Sequence, residues 1–146
     1  MTTIAFDGKT MACDTRVTCG SSYYNTDTKI YENDAYIIGV AGDAGVGTML
    51  IDCPYILQPR HYDFDFEALV FVKDAQKLYK VAFYKSWDCA LSSVVLIVDG
   101  FSAVGSGADF ALAAMGCGRS AQGAVAIASN FDLNTGGKVI TKQLLR

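Results

Sequence analysis

The sequence predicts a single α+β domain over residues 1–146, with two antiparallel sheets and helices packed outside them. Three observations carry this. Short β-branched or alternating runs are separated by turn residues along most of the chain. Helical spacing appears in only three places, grouped between strands. About half the residues (51%) are apolar and the mean hydropathy is positive, enough to fill a layered core and too much for disorder.

Thr2, Ile4 and Phe6 alternate with Thr3 and Ala5 as in a strand. Asp7-Gly8 predicts a hairpin turn, with Lys9 to Cys13 running back. That places Thr2 opposite Cys13, or opposite Asp14 if the loop is one residue longer. Thr15 to Thr18 follows, and the polar stretch Gly20 to Thr28 reads as a loop. Lys29-Ile30-Tyr31 begins a strand, Glu32-Asn33-Asp34 turns, and Ala35 to Val40 is a β-branched strand running into glycines. Asp43 is the expected N-cap of a helix carrying Val46, Met49, Leu50 and Cys53, which Pro54 stops.

Residues 54–65 hold both prolines and the only histidine and read as a loop. Phe66 to Val72 and Lys77 to Phe83 are strands joined at Lys73 to Gln76. Ala90 to Val98 is a further strand, which Asp99-Gly100 turns into Phe101 to Val104. Ser106 is the expected N-cap of a helix over Ala108 to Met115, with Asp109 three residues on. Ser120 caps a helix over Ala121 to Ser129. Asp132 to Gly137 turns into a last strand, Lys138 to Leu145.

Composition excludes several classes. The net charge is −3, with no basic run or basic–aromatic stripe for nucleic acid. The longest aliphatic run, Val94 to Val98, is far too short to span a bilayer, and the start has no signal-peptide core. Five cysteines with no C-x-x-C pair predict reduced thiols in a cytoplasmic protein, mostly as small core residues, and no metal spacing. No cofactor is expected.

The N-terminus carries one chemical suggestion. Removal of Met1 before the small Thr2 would leave a threonine with a free α-amine. Such an amine titrates near ~8 and can take the proton of its own hydroxyl. Many ordinary proteins begin in the same way, so the three residues alone decide nothing.

Four motifs in order change that balance. Thr2-Thr3-Ile4, Ala12-x-Asp14-x-Arg16-Val17-Thr18 and Lys29 resemble the first third of a proteasome β-subunit. Gly39-x-x-Gly42-Asp43-Ala44 is similar to the segment that follows in that family. Ala103-x-Gly105-Ser106-Gly107 and Asp132-x-x-Thr135-Gly136-Gly137 resemble its later landmarks. Together they cover nearly the whole chain, in the compact form of the short bacterial and phage proteasome-like proteins.

The resemblance implies an N-terminal-nucleophile (Ntn) hydrolase αββα sandwich, truncated by the second helix of the first pair and the final strand. It implies a threonine-type peptidase acting on peptides or unfolded protein, in a ring-shaped homo-oligomer. With no nucleotide loop in this chain, any ATPase unfoldase is a separate partner. No propeptide precedes Thr2, so exposure of its amine is expected to depend on Met1 removal. Thr2 would be the nucleophile, Lys29 would lower its pKa, and Asp14 would hold Lys29 charged. The Gly39 N–H would stabilise the oxyanion, and Ser106, Asp132 and Thr135 would surround the α-amine. Val17, Thr18, Asp27, Ile37, Ala41 and Gly45 would line the pocket for the side chain before the cut. That pocket is expected to be apolar, with Asp27 able to admit a basic residue.

Each residue also has a plain structural reading. Asp14, Asp132 and Thr135 suit turns, Lys29 a solvated strand end, Gly39 and Gly42 a tight turn, and Ser106 a helix cap. His61 reads as a surface residue, with nothing orienting it toward a serine. Two other functions fit the same motifs: an Ntn amidohydrolase of a small-molecule amide, and a silent ring or assembly module if Met1 is retained. An assembly module needs none of Thr2, Asp14, Lys29 and Gly39 together.

Overall fold

A computed structural model describes residues 2–43, 45–86 and 92–144. Along the chain run β1 (Thr3–Phe6), β2 (Thr10–Cys13), β3 (Arg16–Cys19), β4 (Ser22–Asn25), β5 (Ile30–Glu32) and β6 (Tyr36–Gly42). Next come α1 (Val46–Ile51), β7 (Phe66–Val72), β8 (Lys77–Phe83), β9 (Val94–Ile97) and β10 (Ser102–Gly105). Last are α2 (Ala108–Gly116), α3 (Ala121–Ala128) and β11 (Ile140–Gln143). One antiparallel sheet has the order β10-β1-β2-β11, a second β5-β6-β7-β8-β9, and β3-β4 form a separate hairpin.

Three apolar layers hold the sandwich. Ile4, Phe6, Met11, Leu69, Phe71 and Val104 fill the space between the sheets. Ala5, Ala12 and Ala103, from the other face of the four-stranded sheet, pack on Ala111, Met115, Ala124 and Val125 of α2 and α3. Small residues on both sides let these helices lie close. The outer face of the five-stranded sheet packs on Val46 and Leu50 of α1 and on Ile56 and Tyr62 from the 54–65 loop. That loop is therefore part of the core. His61 is 58% exposed, with its ring edge-on to Phe83.

The β7–β8 hairpin and the N-cap of α3 are as predicted: Ser120 Oγ accepts from the Gly123 N–H. Elsewhere the structure differs. The first turn falls one residue later, because Asp7 Oδ1 accepts from both the Lys9 and Thr10 N–H groups. Gly8 (φ +108°) and Lys9 become the loop. The register is then Ile4 with Cys13, and the Asp14 N–H donates to the Thr3 carbonyl at 3.2 Å, so Asp14 faces Thr3 and not Thr2.

The predicted loop over 20–28 contains β4. All four of its residues are exposed, so no buried face imposes an alternation that a sequence could show. The α1 N-cap is Gly45 and no side chain caps it, Asp43 contributing only its carbonyl to the Val46 N–H. Asp99-Gly100 does not make a hairpin: β9 pairs with β8 and β10 with β1, so the chain crosses between sheets there. The predicted start of that strand at Ala90 lies outside the described residues. Of the four described cysteines only Cys13 is buried, against the expectation of mostly core thiols. Among the described residues, no helix is long and apolar enough to cross a membrane.

Candidate active site

Thr2, Asp14 and Lys29 meet at one end of the central strands of the four-stranded sheet. The hairpin brings Asp14 beside the chain start, and its carboxylate is completely buried. Oδ1 accepts from the Thr2 hydroxyl (2.6 Å), the Thr3 N–H (3.1 Å) and Lys29 Nζ (2.9 Å). Oδ2 accepts from the N–H groups of Gly136 (3.0 Å) and Arg16 (3.3 Å). Five donors compensate a charge that burial alone would penalise heavily. The Arg16 guanidinium lies against Gly136, where a Cβ would displace it.

Lys29 lies just before β5, its carbonyl accepting from the Val40 N–H at 3.1 Å. Its ammonium donates to Thr2 Oγ1, Asp14 and the Arg16 carbonyl. Burial pulls its pKa below the ordinary lysine range, and the Asp14 charge and hydrogen bond oppose that pull. A cation donating to a hydroxyl oxygen stabilises the alkoxide character that a nucleophile develops.

A second cluster stands behind Thr2. Asp132 Oδ2 accepts from the hydroxyls of Ser106 (2.5 Å) and Thr135 (2.6 Å), and Oδ1 from the Asn134 N–H (3.2 Å). Since Thr135 spends its proton on Asp132, the Thr3 hydroxyl is the donor in the 2.7 Å contact between the two threonines. Ser106 Oγ also lies 3.4 Å from the Thr2 carbonyl oxygen. Burial acts to raise the Asp132 pKa, but the bonds from Ser106, Thr135 and Asn134 outweigh it and the net shift is downward. Ser106 is thus no helix cap; α2 starts from Gly107 without a side-chain cap.

The architecture has solved counterparts. The fold is shared with Thiobacillus denitrificans BPH. That structure is similar over 99% of this chain and 98% of its own, with 21% identity and a TM-score of 0.71. Thiobacillus denitrificans BPH in complex with Epoxomicin is similar over 99% of each chain, with 20% identity and a TM-score of 0.69. At this identity the likeness to BPH establishes the fold. No protein-family model and no curated protein matches the chain.

On this BPH-like frame a cleft of about 590 Å³ opens beside Thr2 and Lys29. Val17, Thr18, Ala41 and Gly45 are among the residues lining it. Ile37 is not: it is 4% exposed and packs between the sheets. Asp27 is exposed and outside the cleft lining.

Gly39 is also displaced from its expected role. Backbone N–H groups alternate sides along a strand. The Val40 N–H points to β5, so that of Gly39 points to Leu69 on β7, its register partner. What Gly39 provides is room, since a Cβ would fall 2.5 Å from Ile4 Cγ2 and 2.8 Å from Met11 Sδ. Gly42 has the parity of Val40, so its N–H is turned away from β7; it lies beyond the paired length of β5 and lines the cleft. Sequence reasoning missed Gly42, Tyr31, Glu67 and Tyr84 in the wall. Glu67 had one signal, a lone charge inside the strand FEALVFV. Among the described residues, no group of three or more His, Cys, Asp or Glu side chains is placed to hold a metal ion.

Proposed function

We propose that this chain is a threonine-type Ntn peptidase whose nucleophile is Thr2 once Met1 is removed. The observation that carries the reading is the shared contact of the Lys29 ammonium and the Asp14 carboxylate with the Thr2 hydroxyl, at the mouth of a substrate-sized cleft. A structural ion pair needs no hydroxyl bonded to both of its partners. The Epoxomicin complex of BPH adds that a protein of this fold takes a small ligand of that name.

In the proposed reaction, the freed Thr2 α-amine accepts the hydroxyl proton and Oγ1 attacks the peptide carbonyl. The Gly42 N–H donates to the developing oxyanion; a donor in that role is commonly worth ~3 kcal/mol. The amine passes its proton to the leaving nitrogen, and water then releases the acyl group from the Thr2 ester. Lys29 holds the hydroxyl acidic, and Asp14 positions Lys29. The Ser106–Asp132–Thr135 cluster fixes the backbone of Thr2 and neighbours its amine. The assembly we propose is a cytoplasmic homo-oligomeric ring, taking unfolded protein from a separate ATPase unfoldase.

Intact mass is the first test. A mass short by one methionine residue supports a free Thr2 amine; a mass retaining Met1 favours the silent assembly reading. With the processed protein, Thr2→Ala is expected to abolish peptide hydrolysis, and undiminished turnover in that variant refutes the mechanism. Sedimentation of the same sample tests the ring.

A further inference from the structure

We propose that the cleft beside Thr2 selects substrates whose side chain before the cut is a long cation, lysine or arginine, and that Glu67 is the residue that recognises it. This rests on the peptidase reading and gives it a substrate class, through a residue other than the one the sequence had suggested.

Glu67 sits mid-sheet on β7, in register with Ala41 on β6 and Ala82 on β8. Both flanking side chains are small, and Glu67 is half-buried in the cleft wall. Its partners are neutral donors: the Gly105 N–H at 3.3 Å and the Tyr84 hydroxyl. Gly105 is in register with Thr3, and a Cβ on it would fall 2.0 Å from the Thr2 carbonyl oxygen. The carboxylate is therefore tethered one residue from the nucleophile's own backbone.

The cleft holds more unpaired acids than unpaired cations. Lys29 is paired with Asp14, while Arg16 joins no ion pair among the described residues, donates to the Leu133 carbonyl and lies over the Tyr23 ring. The carboxylates of the cleft, Asp43, Asp65 and Glu67, join no ion pair among the described residues. Asp65 accepts only from the Lys85 backbone N–H in that set. Val17, Val40, Ala41 and Phe66 also line the cleft. Apolar lining beside carboxylates fits a methylene stem with a cationic head. An acidic side chain would meet like charge there, a strong means of rejection.

The test uses the processed protein and peptides that differ only in carrying Arg, Lys, Leu or Glu before a fluorogenic leaving group. The expected kcat/KM for Arg and Lys exceeds that for Leu by about tenfold or more, with Glu slowest. Glu67→Gln keeps an acceptor for the Gly105 N–H and is expected to cut the Arg-to-Leu ratio by about tenfold. Asp43→Asn, at an exposed position, is a second variant expected to lower the same ratio. Anisotropy with dye-labelled Arg and Leu peptides on Thr2→Ala reads the preference without turnover. Thr2-dependent turnover that favours Leu, or equals it, overturns the substrate class and leaves the peptidase reading standing. Arg-selective binding that Glu67→Gln removes, with no turnover by the wild-type protein, supports the recognition and overturns the peptidase reading. Equal binding of Arg and Leu peptides overturns the recognition in either case.

Discussion

Asp14 Oδ1 and Lys29 Nζ stand 2.9 Å apart with side chains only 1% and 9% exposed, and the Thr2 hydroxyl bonds to both. Removing one partner of a buried pair is costly because the other keeps its desolvation penalty. Lys29→Met is therefore expected to destabilise the fold by about 3 kcal/mol, the low end of the usual range because four donors to Asp14 remain. Urea denaturation measures this. An unchanged midpoint would mean that the pair holds nothing in place.

The same lysine makes a pH prediction. Its pKa is lower in the folded protein than its ordinary 10.5, burial being the main cause. Between the folded value and 10.5 the unfolded chain binds more protons, so stability rises with pH across that window. Activity runs the other way. If the ammonium polarises Thr2, kcat/KM falls as Lys29 loses its proton, and the alkaline limb lies below pH 10.5. A profile still rising at pH 10.5 would remove the ammonium from the mechanism.

Gly39→Ala separates two explanations of one glycine. If Gly39 serves packing, the added methyl collides with Ile4 and Met11 and costs about 1–3 kcal/mol, the usual range for overpacking. Turnover per folded molecule should then change little, because its N–H is turned toward β7. Full stability combined with lost activity would restore Gly39 as the oxyanion donor.

What the sequence shows and hides follows from physical causes. The β7–β8 hairpin is legible because long apolar runs flank a polar turn. Thr2, Asp14 and Lys29 are legible as residue types at familiar spacing. β4 is hidden because neither of its faces is buried. The choice between Gly39 and Gly42 is hidden because N–H direction depends on where β5 ends, a fact of pairing and not of composition. Ile37 and Ala41 look alike in sequence, four residues apart on one strand; only the mouth of the cleft, at the far end of β6, tells wall from core. Ser106 carries the residue type of a cap, yet Asp132, brought from 26 residues away, takes its proton.

Asp132 should dominate one part of the acid response. Burial alone would raise its pKa, but its hydroxyl and amide donors bring it below 3.8. A carboxylate depressed in the folded state contributes stability above its unfolded value, and that contribution is lost as pH falls through the folded value. Asp132→Asn is therefore expected to flatten the fall in stability below pH 3.8. Equal slopes in variant and parent would mean that the cluster is not coupled to folding.

Gly105→Ala carries the most specific structural prediction. Gly105 has φ +99°, and its Cβ would lie 2.0 Å from the Thr2 carbonyl oxygen. Two costs coincide: a left-handed backbone that disfavours a side chain, and a collision with the residue that must be placed accurately. Gly118→Ala isolates the first, since it has φ +92° with nothing within 4 Å. Gly116→Ala isolates neither, having open space and no positive φ, and should be neutral or slightly stabilising in α2. If collision with Thr2 matters beyond strain, Gly105→Ala loses about 100-fold in kcat/KM, the scale expected for displacing a reacting group by about 1 Å. Gly118→Ala would lose stability only. Equal kinetics in those two variants would show that the Gly105 backbone does not position the nucleophile.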